Sequence, residues 1–381
     1  MRLALALLVV GCGGAPASPT KLGGLDAKGQ LAKARAAAAA QDVDGADRAY
    51  ADAYTLTPDV DTLEERVDFL VHAGRAPAGL ALAKSYRDAH AADPRAGELY
   101  ADALIAAGKG QDALDAATAM LAANPNSADA HDAKGRALML LDKADAALAE
   151  LRAARDLAPT IARYHVSYGA ALDKLGKYDE AQIEFRQAVK ISPDDVDANI
   201  DLGITLREQQ ANDQARTFFD HAIEVDPHNG RAFFELGRLD NADHMDGDAE
   251  QALAKAVQFS PNESLYWYAY GEIFRLKDRD DEAITAYGKA LQLVPPAPKA
   301  RAKLGAVLAH AKRWGDAERE LTTAVADFPS DPLVRMSLGD VYAATKRPKD
   351  ALDNYQQYLT LAPLEDPDRR RVEQAVWRLK H

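Results

Sequence analysis

Few residues of this 381-residue chain could do chemistry, and their spacing argues against catalysis. Cys12 supplies the single thiol. It follows Leu3 to Val10, a run without a charge. No histidine falls in a His-Glu-x-x-His pattern, and there is no phosphate-binding glycine loop or nucleophile elbow. In the acidic stretch Asp240 to Asp248, a calcium loop would need oxygen ligands at its first, third and fifth positions before the glycine. Before Gly247 those positions hold Ala242, His244 and Asp246, so a solvated turn is expected. Neither an enzyme nor a cofactor is expected.

What would position any functional side chain is a repeat. Pro125, Pro159, Pro193, Pro227, Pro261, Pro295, Pro329 and Pro363 recur at a constant spacing of 34. Gly135, Gly169, Gly203, Gly237, Gly271, Gly305 and Gly339 keep the same register, as do Ala147, Ala181, Ala215, Ala249, Ala283, Ala317 and Ala351. His131 and His165 stand one period apart at matching places, which predicts packing rather than metal ligation. A glycine inside a helix costs about 1 kcal/mol relative to alanine. It is tolerated where a neighbouring helix approaches closely, and the alanine serves the same end on that neighbour. The proline closes one helix pair before the next begins. This period is that of a helix–turn–helix solenoid.

In Tyr168-Gly169, Leu172, Gly176, Tyr178, Ala181, Phe185, Ala188 and Pro193 the chain resembles the tetratricopeptide repeat (TPR) family. Leu202-Gly203, Leu206, Ala215, Phe219, Ala222 and Pro227 repeat the pattern, with Trp267 and Trp314 at the family's aromatic positions. The resemblance implies an all-α, right-handed superhelical solenoid of about ten helix–turn–helix repeats. Residues 128–363 read as seven regular repeats and residues 25–127 as degenerate ones. There Pro58, Pro94 and Pro125 are spaced 36 and 31, which predicts one lengthened and one shortened repeat. Residues 364–381 read as a capping helix, with Val372, Ala375, Val376 and Leu379 on one face.

The resemblance also implies that the first helix of each pair lines a concave surface, through its second, fifth, ninth and twelfth residues. Those positions bring Phe234 and Tyr268 between Arg207, Arg231, Arg238 and Arg275. Aromatics and arginines dominate binding energy at interfaces. The expected partner is a protein segment, peptide or helix, carrying apolar and acidic residues, and Phe234, Tyr268, Arg231 and Arg238 are expected to face solvent. Lys plus Arg total 46 against 59 Asp plus Glu, a net charge of −13, which argues against nucleic acid.

Val9-Val10-Gly11-Cys12 resembles the bacterial lipoprotein processing box. That resemblance implies a signal peptide over 1–11, acylation at Cys12 and a flexible tether over 12–24. It implies a membrane-anchored protein of the cell envelope, held at the outer membrane and facing the periplasm. The expected function is a scaffold that recruits or assembles an envelope complex. The alternatives are an adaptor of peptidoglycan enzymes and a secretin-assembly lipoprotein.

Overall fold

The computed structural model describes residues 21–40, 42–293 and 299–381. These are helices and turns, apart from one isolated bridge between Leu22 and Leu25. The chain divides into two compact units, Met1–Glu184 and Phe185–His381. The first holds the antiparallel pairs α1 (Ala27–Ala39) with α2 (Val43–Leu56), α3 (Val60–Leu70) with α4 (Ala76–Ala89), α5 (Pro94–Ala106) with α6 (Gly110–Ala123), and α7 (Ala128–Leu140) with α8 (Ala144–Leu157). It continues through α9 (Ala162–Lys174), and the boundary falls within α10 (Tyr178–Ile191). The second unit pairs α11 (Val196–Glu208) with α12 (Asn212–Val225), α13 (Gly230–Ala242) with α14 (Asp246–Phe259), and α15 (Ser264–Leu276) with α16 (Asp280–Gln292). It ends with α17 (Ala300–His310) beside α18 (Trp314–Asp327), α19 (Pro332–Ala344) beside α20 (Pro348–Leu361), and the single helix α21 (Arg369–Lys380).

Three local devices set this pattern. First helices are capped in register: the side chains of Asp59, Asp93, Ser127, Asp195, Asn229 and Asp331 accept backbone N–H bonds of 2.8–3.2 Å. Each such cap satisfies a donor the helix cannot, worth about 1 kcal/mol. Second, nine pairs, from α3 with α4 onwards, each turn on one left-handed residue. Gly74, Gly108, Asp142, Gly176, Gln210, His244, Asp278, Lys312 and Lys346 all have φ between 53° and 77° and recur with the period of the prolines. Only three of them are glycine, so the other six hold a conformation that disfavours a side chain by about 1–2 kcal/mol.

The third device is a size swap across each pair. A Cβ on Gly135, Gly203, Gly237, Gly271, Gly305 or Gly339 would lie 2.4–2.8 Å from the side chain sixteen residues on: Leu151, Phe219, Leu253, Tyr287, Leu321 or Tyr355. Those six large side chains are buried. In two pairs the first position carries a side chain and the second is small: Val67 is followed by Ala83 and Ala101 by Ala117, all fully buried.

The irregular prolines do not mark irregular repeats. First helices begin at Val60, Pro94, Ala128 and Ala162, and second helices at Ala76, Gly110 and Ala144, each 34 apart. Pro94 has moved from the turn to the first helical position, where its missing N–H is harmless. No residues are inserted between Val60 and Ala162. Near Asp240, His244 takes the left-handed place, and Asp240 is buried against Arg216 at 2.6 Å. The terminal helix buries Val372 on Tyr355, Tyr358 and Ala362, with Ala375, Val376 and Leu379 alongside.

Candidate partner-binding face

First helices of successive pairs touch: α3 meets α5, α5 meets α7 and α7 meets α9 in one unit. In the other, α11 meets α13, α13 meets α15 and α17 meets α19. Second helices make no contacts of that extent among the described residues. First helices therefore stand close together, and their free sides form a continuous face from α3 to α9 in one unit and from α11 to α15 in the other.

In the second unit this face carries all six partner-binding residues expected from the sequence. Arg207, near the end of α11, donates to Glu235 of α13 and, at 2.9 Å, to Glu208. Arg231 donates to Asp201 and lies 3.3 Å from Asp197. Arg238 reaches the same Glu235 at 3.3 Å, with its guanidinium 5.6 Å from the Phe234 ring. Arg275 is 3.1 Å from Glu272, which also takes Lys303 at 3.0 Å and the Tyr287 hydroxyl. Burial pushes the Glu272 carboxyl up, but the Tyr287 and Arg275 hydrogen bonds and the Lys303 charge outweigh it and hold it below its ordinary value. Tyr268 is half-buried, its ring 5.8 Å from that of Tyr287.

Two expectations need correction. Phe234 does not face solvent. It is 4% exposed, stacked at 4.3 Å on Tyr266, whose hydroxyl burial pushes up to about 12. The four arginines are also not a bare basic strip, because each already has a carboxylate. Asp201 and Glu235 sit at the sixth position of their helices, outside the four positions read as inward. The signal that would have found them is the pairing of an arginine with an acid about one repeat away. Arg95–Asp61, Arg136–Asp102, Arg163–Asp129 and Arg231–Asp197 are all separated by 34 residues. Arg238 is the most exposed of the four at 46%, and it and Arg275 each pair with an acid three residues away on their own helix rather than on a neighbouring one.

The corresponding face of the first unit has the opposite character. Asp61, Glu64, Asp68, Glu98, Asp102, Asp129 and Asp132 outnumber Arg95, Arg136 and Arg163. Burial, and then the neighbouring Asp129, push Glu98 up to about 7. Asp132 is almost wholly buried beside Arg136 and Arg163.

His131 and His165 pack as the repeat demands. Their Nδ1 atoms lie 2.7 and 2.6 Å from Glu150 and Glu184, and their Nε2 atoms 3.1 and 3.0 Å from the Pro125 and Pro159 carbonyls. Among the described residues no group of His, Cys, Asp or Glu could hold a metal ion. No helix there is long and apolar enough to cross a membrane. Cys12, the segment 1–11 and most of the segment 12–24 lie outside the described residues, as does Pro295.

A tetratricopeptide repeat profile matches residues 100–161, 229–300 and 303–366, together just over half of the chain. A second tetratricopeptide repeat profile matches residues 174–232. The chain matches no curated protein. Among solved structures it is similar to the APC/C hetero-tetramer Cut9-Hcn1, with TM-score 0.62 and 17% identity over 93% of this chain and 76% of that one. It is also similar to the human IFIT1 dimer with PPP-AAAA, with TM-score 0.53 and 15% identity over 88% of this chain and 91% of that one. At these identities the likeness is one of fold alone.

Proposed function

Because the chain belongs to the tetratricopeptide repeat family, a non-catalytic protein-interaction module, we propose that it is a scaffold that grips a protein partner on its first-helix face. The observation that carries this is the strip from Arg207 to Arg275. It presents aromatic area beside guanidinium groups held in place by carboxylates of the same face. A partner segment with apolar and acidic residues would cover Tyr268 and exchange its own carboxylates for Glu235 and Glu272. Such groups, already positioned before binding, lose little freedom on association. Phe234 supports this surface from below rather than touching the partner.

The address we propose for the scaffold is the cell envelope, with acylated Cys12 anchoring it to the outer membrane and the repeats facing the periplasm. The support is Cys12 itself, the sole cysteine, placed behind a short apolar run. Recruitment or assembly of an envelope complex follows as the task.

One experiment tests both parts. In membranes crosslinked in the cell, the wild type should be labelled by a fatty acid and should capture a partner. Cys12→Ser should lose the label and leave the membrane fraction. Arg238→Ala with Arg275→Ala should keep the label but capture at least tenfold less partner, about 1.4 kcal/mol. Capture equal to that of a Gln182→Ala, Arg186→Ala control would overturn the strip. An unlabelled wild type would overturn the anchor. The captured partner then decides the pathway: a secretin subunit or a peptidoglycan enzyme would each point to its own process.

A further inference from the structure

The fourth residue of each first helix fills the junction between one pair and the next. Leu63, His131, His165, Asn199, Phe233 and Trp267 occupy it. At two of these six positions the side chain donates to the turn just before it: Asn199 Nδ2 to the Pro193 carbonyl and Trp267 Nε1 to the Pro261 carbonyl, both at 2.8 Å. At the start of α5 this residue is Gly97. Two further positions are reduced in the same repeat: Ala116 stands where the next repeat has Glu150, the partner of His131, and Ala123 where it has Leu157. The result is a cavity of about 510 Å³.

Its chemistry is specific. Met120 forms the floor, with Cγ 3.3 Å from where a Gly97 Cβ would lie. Ala116, Ala119 and Ala123 form one side, and Tyr100, with the Arg87 guanidinium 4.1 Å over its ring, forms another. The Ala91 carbonyl stands where Pro261 does in the repeat of Trp267, and no side chain among the described residues donates to it. An apolar cleft with a methionine floor suits an aromatic ring, since sulfur–aromatic contacts are favourable. Of the acids that also line it, Asp88 is taken by Arg87, Asp93 by the Arg95 N–H and Glu98 by Asp129, and no carboxylate stands in the place of Glu150, which suits an indole better than an imidazole. At the rim, the Asn124 amide oxygen already accepts from the Asn126 N–H at 3.2 Å, which leaves its amide donors for a carbonyl next to the incoming ring.

We propose that this cavity takes a tryptophan side chain carried on a partner protein. Its N–H bonds the Ala91 carbonyl, and its adjoining backbone carbonyl accepts from Asn124. The ring thus completes a repeat that lacks its own. The site shares no residue with the strip proposed above and stands independently of it.

The probes are an acetylated, amidated Gly-Ser-Trp-Ser-Gly peptide and its alanine counterpart, titrated into the full chain with carbon-labelled methionine methyl groups. The Met120 methyl should shift upfield with the tryptophan peptide, while Met139, Met245 and Met336 stay put. The alanine peptide should bind at least tenfold more weakly. Gly97→Trp, which fills the cavity from within, should abolish the shift. Ala123→Leu, which copies the next repeat, should weaken it at least threefold and serves if the first variant misfolds. Equal binding of the two peptides would overturn the proposal, as would an undiminished shift in both variants. Binding of free indole but not of the peptide would instead make this a small-molecule site. Self-association abolished by Trp377→Ala, an exposed tryptophan of this chain, would make the occupant a second copy.

Discussion

Gly271→Glu is expected to unfold α15 and α16 before the rest of the chain. A Cβ at this position would lie 2.8 Å from Cε1 and 2.9 Å from Cδ1 of Tyr287, which is fully buried. The Tyr287 hydroxyl is tied to Glu272, the residue next to Gly271 on its own helix, so the ring cannot draw back from Gly271 without breaking that bond. A glutamate adds a carboxylate to this dry contact. Overpacking costs about 1–3 kcal/mol and an unpaired buried charge several more, so a loss of about 4 kcal/mol or more is expected. Gly271→Ala should carry only the overpacking cost. Gly288→Glu, where nothing lies within 4 Å of the added carbon, should be nearly neutral. Contacts here run chiefly between neighbouring helices, so hydrogen exchange should rise first across residues 264–292. Equal acceleration along the whole chain would refute local stability.

The second large effect is expected at Glu235. Its carboxylate is 6% exposed and holds both Arg207, whose side chain is 10% exposed, and Arg238. Glu235→Ala leaves the buried Arg207 with Glu208 alone. Breaking a buried pair from one side costs about 3–5 kcal/mol, whereas replacing both partners by apolar groups is often neutral. Glu235→Leu combined with Arg207→Met should therefore recover most of the stability that the single change loses, measured by urea denaturation. A single-variant loss below about 0.5 kcal/mol, the size of an ordinary surface substitution, would show that the pair is solvated in solution. The double variant should also bind partner more weakly, because the guanidinium it removes belongs to the proposed surface.

These effects show what is legible in the chain. The glycine and alanine columns carry the fold because each records a helix–helix contact, and such contacts leave little choice of residue. The helix starting at Val60 is harder to see. Proline marks the boundary between pairs only where it stays in the turn, and Pro94 has moved into the helix. Burial at Phe234 escapes the pattern for another reason. Its position in the helix predicts an inward direction, but Tyr266 from the next first helix lies over it. Contacts between repeats join positions roughly one period apart, which no local pattern within one helix reveals. The cavity at Gly97 belongs to the same class, being a missing side chain visible only against the neighbouring repeats.

The left-handed corners have a mechanical consequence. Each closes one pair, and the five in the second unit, Gln210, His244, Asp278, Lys312 and Lys346, all carry side chains. A chain pulled from its ends meets a series of hinges, each already loaded by about 1–2 kcal/mol. Every yielding repeat releases about 34 residues, or about 120 Å of slack at about 3.5 Å per residue. Under tension the array then behaves as a graded spring, lengthening in discrete steps while the remaining repeats stay folded.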